Sequence, residues 1–130
     1  MQMLELFQTE WCPASRRVRQ RLTELGLDYV NRQVPVEREV RTALRDAIGA
    51  DTIPALRLEN GSAIVGEENI LAFLGEQFAE PLGAEAHRQK AAKARRRSIV
   101  GNEQLAPIVP DVKRRLGDVV AKVGRTNGRL

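Results

Sequence analysis

The first 80 residues alternate between stretches with the spacing of buried strands and stretches with the spacing of amphipathic helices. Residues 3–8 form a short run that is apolar enough to be a buried strand. Val18, Leu22 and Leu25 then recur at i, i+4 and i+7, which places them on one face of a helix. Residues 28–34 predict a second strand, and a right-handed crossover through the helix would make the two strands parallel.

Prolines, glycines and apolar spacing define the remaining elements. Residues 37–48 predict a helix whose apolar face comprises Val40, Leu44, Ala47 and Ile48. Residues 53–58 and 63–65 predict two strands joined by an Asn-Gly hairpin turn. A third helix follows Gly66. The order β-α-β-α-β-β-α predicts an α/β fold with a four-stranded mixed sheet and helices on both faces.

The chain changes in pattern and in charge near Pro81. Residues 1–80 contain nine arginines, no lysine and 13 acidic residues, a net charge of −4. Residues 81–130 contain 12 basic and four acidic residues, a net charge of +8, and predict helices over 84–98 and 111–123. We therefore expect one domain over residues 1–80 and a basic helical extension over residues 81–130.

The basic side chains of the extension have two interpretations. Lys90, Lys93 and residues 95–97 could contact nucleic acid or an acidic partner. Because no aromatic side chain lies among them, a solvated helix face explains them better, and nucleic acid is not expected as a partner. His87, the single histidine, is expected at the surface.

Composition excludes several classes of protein. With 42% hydrophobic residues the chain can bury a core, but it has no run of 18 apolar residues that could span a membrane. The first residues lack the basic and then apolar order of a secretory signal, so we expect a cytoplasmic protein. The single cysteine excludes an intramolecular disulfide, and no metal site is predicted.

Cys12 lies between the end of the first strand and Pro13, which suits the first turn of a helix. The unpaired N–H groups and the positive dipole end of a helix start favour a thiolate, the reactive form of cysteine. Arg16 and Arg17 add positive charge, so we expect the pKa of Cys12 to lie below its ordinary value. Trp11 and Pro13 would form the walls of the site. The alternative is an inert, buried thiol.

Ser15 occupies the position that holds the second thiol in two-cysteine redox motifs. Its hydroxyl can hydrogen-bond a thiolate but cannot form a disulfide. An oxidised Cys12 would therefore be shared with another molecule: a small thiol, a substrate protein or a second copy of the chain. The alternative for Ser15 is an ordinary helix residue. Further along the same helix, Arg19 and Arg21 are expected on a solvated face.

Three motifs follow one another along this pattern of elements. They are residues 12–15 (Cys-Pro-Ala-Ser), 52–54 (Thr-Ile-Pro) and 65–68 (Val-Gly-Glu-Glu). Their order and spacing resemble the glutaredoxins and the N-terminal domain of the glutathione S-transferases over residues 3–79. The resemblance implies a thioredoxin-like fold and glutathione as the cofactor.

The resemblance implies a role for the second motif, residues 52–54. Pro54 would be a cis proline facing Cys12. The backbone of Ile53 would then pair, in the manner of a strand, with the cysteinyl part of glutathione. The alternative is a trans proline that merely begins a strand.

The third motif would hold the other end of glutathione. Backbone N–H groups at Glu67 and Glu68 would bind the γ-glutamyl carboxylate, and the Glu68 side chain would accept from the γ-glutamyl ammonium. From the second helix, Arg41 or Arg45 would face the glycine carboxylate. Alternatively, the two glutamates only stabilise the start of a helix.

Three departures from the family pattern bear on which reactions and cofactors are expected. Residues 8–11 (Gln-Thr-Glu-Trp) stand where many glutaredoxins carry a lysine. The second cysteine is absent, which excludes a two-thiol mechanism. Pro13 stands where single-thiol glutaredoxins that hold iron–sulfur clusters usually carry glycine, so cluster binding is not expected.

The leading hypothesis is a glutathione-dependent thiol–disulfide oxidoreductase, similar to a glutaredoxin, that acts with one cysteine. The catalytic residues would be Cys12 and Ser15, with Arg16 stabilising the thiolate. The glutathione-binding residues would be Trp11, Pro13, Ile53, Pro54, Glu67 and Glu68. Its partners would be glutathione and glutathionylated thiols, and a homodimer is left open. The alternatives are a glutathione transferase that adds glutathione to an electrophile and a non-catalytic binding module.

Overall fold

The chain, seen in a computed structural model, is described over residues 3–96. Its elements follow the predicted order, with a 3₁₀ helix added before the second α-helix. They are β1 (Leu4–Gln8), α1 (Pro13–Glu24), β2 (Tyr29–Gln33), the 3₁₀ helix (Arg38–Val40), α2 (Thr42–Ile48), β3 (Ala55–Arg57), β4 (Ala63–Val65) and α3 (Glu67–Gln77).

The four strands form one mixed sheet in the order β2-β1-β3-β4. β1 runs parallel to β2 and antiparallel to β3, and β4 is antiparallel to β3. Leu6 of β1 pairs with Asn31 of β2 on one side and with Leu56 of β3 on the other. The predicted α/β, thioredoxin-like fold is confirmed, and its central strand β1 leads directly into the loop that carries Cys12.

Successive residues of β1 contribute to two hydrophobic cores, because successive side chains of a strand point to opposite faces of the sheet. Phe7 belongs to the smaller core, together with Leu44 of α2. The larger core joins the sheet to α1 and α3, and its buried residues are Leu6, Val18, Leu22, Leu25, Leu56, Ile70 and Leu74. The apolar face predicted for α1 is thus the face that packs, and it anchors the helix that begins next to Cys12.

The second helix is interrupted, contrary to the prediction of one helix over residues 37–48. α2 begins only at Thr42, and Arg41 before it has a non-helical backbone (φ −84°, ψ 53°). Arg41 is only 5% exposed. Its guanidinium donates to three backbone carbonyl oxygens at 2.8–3.0 Å, those of Pro35, Val36 and Asp51. These bonds stabilise a bend in the chain, and Val40, predicted on the buried face, is 57% exposed.

Ion pairs fasten the segment 80–88 to α1. The Glu24 side chain is 8% exposed and lies 3.0 Å from Arg21 and 3.1 Å from Arg88. Glu80 lies 2.7 Å from each of the same two guanidinium groups. The prediction that Arg21 is solvated is therefore wrong, since its charge is needed opposite a buried carboxylate.

Residues 84–96 are helical, in agreement with the prediction over 84–98, and His87 is exposed. The helix predicted over residues 111–123 lies outside the described residues. The chain divides after Gln89 into two units, and the domain boundary drawn from composition at residue 80 stays a prediction. Between residues 3 and 96, no helix has the length and apolar character needed to cross a membrane.

Candidate active site around Cys12

Cys12 lies at the N-terminus of α1, where the loop from β1 ends. Its backbone is extended (φ −82°, ψ 118°), and Pro13 begins the helix. As the N-cap residue, Cys12 accepts a hydrogen bond through Sγ from the backbone N–H of Ser15, with an N–Sγ distance of 3.4 Å. The thiol is half-buried, so it is not enclosed in the core as the alternative interpretation required.

The pKa of the Cys12 thiol is lowered from its ordinary value. Partial burial raises it, but hydrogen bonds from the Ser15 hydroxyl and from the N–H groups of Ser15 and Ala14 outweigh burial, and the charge of Arg17 lowers the pKa further. Arg16 is exposed, and its backbone N–H donates to the Cys12 carbonyl oxygen (3.0 Å). The positive charge that acts on the thiol is therefore that of Arg17, and a role for the Arg16 side chain stays a prediction.

Ser15 is completely buried in the first turn of α1. Its Oγ accepts a hydrogen bond from the backbone N–H of Thr9 (3.5 Å), which leaves the hydroxyl proton available to Cys12 Sγ. A buried hydroxyl that accepts from a backbone N–H and can donate to a thiol differs from an ordinary, solvent-exposed serine hydroxyl of a helix. Its catalytic role stays a prediction.

The loop before the thiol is fastened by Arg19 of α1. The guanidinium donates to the side-chain oxygen of Gln8 and to the carbonyl oxygen of Thr9 (3.3 Å), and it pairs with Glu10 (3.0 Å). The Arg19 side chain is 16% exposed, so the prediction of a solvated arginine is wrong. One signal was present in the sequence: Arg19 follows Ser15 by four residues and therefore shares its helix face.

The Ile53–Pro54 peptide is cis, as the resemblance implied. Pro54 is completely buried, and its carbonyl oxygen accepts a hydrogen bond from the N–H of Gly66 (2.9 Å). Because Gly66 is the N-cap of α3, this bond ties the cis peptide to the start of that helix. Contacts of Ile53 and Pro54 with glutathione stay predictions.

The start of α3 offers backbone N–H groups to an anion. Gly66 has φ 96°, a left-handed backbone region that suits glycine, and no side chain caps the helix. Glu67 accepts two hydrogen bonds from Arg17, one with an Nη2–Oε1 distance of 2.9 Å. This bonding lowers the pKa of the Glu67 carboxyl. Glu68 is exposed, which leaves it accessible to a ligand.

Sequence reasoning missed the pair between Arg17 and Glu67. The two residues are 50 positions apart, and nothing local to either residue indicates the contact. Trp11 and Pro13, predicted as walls of the site, are both exposed on either side of Cys12 along the chain. Trp11 is 60% exposed, and its indole offers an aromatic surface to a ligand.

Arg41 and Arg45 are engaged by their own chain segment. Arg41 is buried against the three carbonyls described above, so the expectation that it binds the glycine carboxylate is wrong. Arg45 donates to the carbonyl oxygens of Arg38 (2.8 Å) and Glu39 (2.9 Å). Across residues 3–96, no cluster of three or more His, Cys, Asp or Glu side chains could hold a metal ion.

A protein-family model matches this region of the chain. The family model "Glutathione S-transferase, N-terminal domain" matches residues 6–82, more than half of the chain. The match includes all three motifs on which the resemblance rested. Comparison with curated proteins gives no match.

Solved structures of glutathione transferases are similar to the same region. A family member from Pseudomonas fluorescens Pf-5 with bound glutathione is 28% identical with a TM-score of 0.55, over 60% of this chain and 40% of that one. A glutathione S-transferase domain-containing protein from Marinobacter aquaeolei VT8 is 29% identical with a TM-score of 0.51, over 59% of this chain and 40% of that one. A transferase from Sinorhizobium meliloti 1021 is 27% identical with a TM-score of 0.54, over 59% and 33%.

The match therefore spans at most 40% of the length of these three proteins. It covers the sheet, the three helices and the residues around Cys12. Through this region the chain belongs to the glutathione S-transferase family and corresponds to its N-terminal domain.

Proposed function

We propose that the chain is a glutathione-dependent thiol–disulfide oxidoreductase in which Cys12 is the nucleophile. The observation that carries the proposal is the half-buried Cys12 thiol at the start of α1, whose pKa lies below the ordinary value. A thiolate at neutral pH is the form that attacks a disulfide. Because the chain has one cysteine, the disulfide intermediate must be shared with another molecule, which in this proposal is glutathione.

The reaction proceeds in two exchanges. Cys12 thiolate attacks the glutathionyl sulfur of a mixed disulfide, a bond forms between these two sulfurs, and the substrate leaves as its thiolate. The thiolate of a second glutathione then attacks the glutathionyl sulfur on Cys12. Cys12 leaves as a thiolate and glutathione disulfide is released, so the substrate thiol is reduced and glutathione is oxidised.

Binding of glutathione would use the two motifs beyond Cys12. The backbone of Ile53 next to Pro54 would pair with the cysteinyl part of the peptide, and the N–H groups at the start of α3 would hold the γ-glutamyl carboxylate. Glu68, which is exposed, would accept from the γ-glutamyl ammonium. The solved structure from Pseudomonas fluorescens Pf-5, 28% identical to this chain, contains glutathione, which supports the ligand.

A second candidate is a transferase that activates the thiol of glutathione and adds it to an electrophile. The family match favours this candidate, because the family is named for that reaction. In this case the first-turn N–H groups that lower the pKa of Cys12 would act on the sulfur of glutathione instead. Cys12 would then be dispensable.

Replacing Cys12 by serine separates the candidates. We expect Cys12→Ser to reduce deglutathionylation of a mixed disulfide between glutathione and a small thiol by about 100-fold or more, because serine is a far weaker nucleophile at neutral pH. Conjugation of glutathione to an aromatic electrophile is measured on the same two proteins. Unchanged deglutathionylation in the variant would contradict the oxidoreductase. Conjugation by both proteins, without deglutathionylation by either, would assign the transferase.

A further inference from the structure

We propose that Arg19 is a positioning residue of the Cys12 site: it fixes residues 8–10, from the end of β1 into the following loop, so that the N–H of Thr9 stays on Ser15 Oγ and the Ser15 hydroxyl is directed at the thiol. The inference rests on the proposed function, because it concerns the sulfur that would carry out the exchange. The partners of Arg19 are Gln8, Thr9 and Glu10, and the thiol of Cys12 is not among them. Its effect would be transmitted through the loop.

The contacts of Arg19 fix three consecutive residues. One guanidinium binds the side chain of Gln8, the main chain of Thr9 and the side chain of Glu10. Gln8 is itself buried and donates from Nε2 to Asn31 Oδ1 of the neighbouring strand (2.7 Å). The loop is therefore tied to α1 and to the sheet at once.

Thr9 is held in place by its backbone. Its carbonyl oxygen accepts from Arg19 (3.3 Å) and from the N–H of Cys12 (3.4 Å), and its N–H donates to Ser15. Its own hydroxyl is buried without a hydrogen-bond partner among residues 3–96. Among the residues that the structure describes, Arg19 and Ser15 are the two side chains that hydrogen-bond to the backbone of Thr9.

A direct charge effect of Arg19 on the thiol would be small. The charge that lowers the pKa of Cys12 is that of Arg17 of α1, which pairs with Glu67 of α3. Glu10 pairs with Arg19 and offsets its charge. Removing Arg19 should therefore act on Cys12 mainly through the geometry of the loop.

The test compares Arg19→Lys with Arg19→Met in the full chain, with the pH dependence of Cys12 alkylation by iodoacetamide as the readout. Lysine keeps the charge but cannot bind three partners with a planar fork. We expect both variants to raise the pKa of Cys12 by about half a unit or more, as the loss of a charge-assisted hydrogen bond would. Arg21→Lys is the matched control, since Arg21 lies on the same helix in ion pairs of its own, and it should leave the pKa unchanged.

Combining Arg19→Lys with Ser15→Ala tests whether Arg19 acts on Cys12 through the Ser15 hydroxyl. If Arg19 acts through the Ser15 hydroxyl, Arg19→Lys should cause no further shift once the hydroxyl is gone. An Arg19→Lys protein with the wild-type pKa, or a full additional shift on top of Ser15→Ala, would overturn the proposal. Alkylation requires no glutathione. A failure of the proposed oxidoreductase would therefore appear in the Cys12→Ser assay and leave this result intact.

Discussion

At the start of α1, the buried hydroxyl of Ser15 can form hydrogen bonds with two groups. Ser15 Oγ accepts from the N–H of Thr9, and its proton can be donated to Cys12, which is one cause of the lowered pKa of the thiol. The backbone N–H of Ser15 also donates to the same sulfur. Replacing the side chain therefore removes one of the thiolate's donors and leaves the backbone donor in place.

We expect Ser15→Ala to raise the pKa of Cys12 by about one unit, because hydrogen bonds to charged groups contribute about 1.5–3 kcal/mol and solvent near the half-buried sulfur reduces the effect. At neutral pH the fraction of thiolate, and with it the alkylation rate, should fall up to about tenfold. The alkylation pH profile measures this directly. Ser62→Ala, in the exposed hairpin between β3 and β4, is the control. An unchanged pKa in Ser15→Ala would show that the hydroxyl does not stabilise the thiolate.

At the scale of elements, α1 connects the site to the rest of the domain in four directions. Val18 and Leu22 pack in the core, Arg17 binds the start of α3, and Arg19 holds the loop from β1. Arg21, together with Glu24 at the end of the helix, binds the segment 80–88. A helix bonded on all these sides offers the rigid support that a reactive thiol at its N-cap requires.

The ion pairs at the end of α1 predict a dependence of stability on acid. Hydrogen bonds from Arg88 and Arg21 lower the pKa of Glu80 from 4.5 to about 2. A carboxyl whose pKa is lower in the folded chain stabilises it fully above pH 4.5, and this contribution is lost as the pH falls from 4.5 to about 2. The difference in free energy of unfolding between the wild type and Glu80→Gln, measured in urea, should therefore shrink over that window.

The control for this measurement is Glu59→Gln, at an exposed carboxylate in the hairpin between β3 and β4. Because Glu59 forms no ion pair among the described residues, its replacement should change stability by an amount that varies much less with pH over the same window. A difference between wild type and Glu80→Gln that stays constant from pH 4.5 to pH 2 would contradict the role given to these ion pairs.

At the scale of the whole molecule, the order of elements and the place of Cys12 could be predicted because their signals are local. The apolar spacing of Val18 and Leu22, the proline at position 13 and the hairpin glycine at position 61 each act within a few residues. The three motifs around these elements were sufficient for the resemblance. The family match over residues 6–82 then confirmed it.

The bend before α2 and the charge near the thiol could not be predicted from the sequence, because both depend on contacts between residues that are distant in the chain. The bend before α2 depends on Arg41 reaching the carbonyl of Asp51, and this contact turns Val40 outward. The charge near the thiol is that of Arg17 because α3 places Glu67 beside it. In both cases the partner lies beyond the reach of helical or strand periodicity.

The central claim is that Cys12 is a stabilised thiolate in a site for glutathione. Titrating the ultraviolet absorbance of the Cys12 thiolate in the full chain, with and without increasing S-methylglutathione as a ligand that has no free thiol, tests it most directly. We expect a pKa below that of free glutathione in the same buffer, and a change in that pKa that saturates as the ligand is added. A pKa equal to that of free glutathione, unaffected by the ligand, would contradict the account.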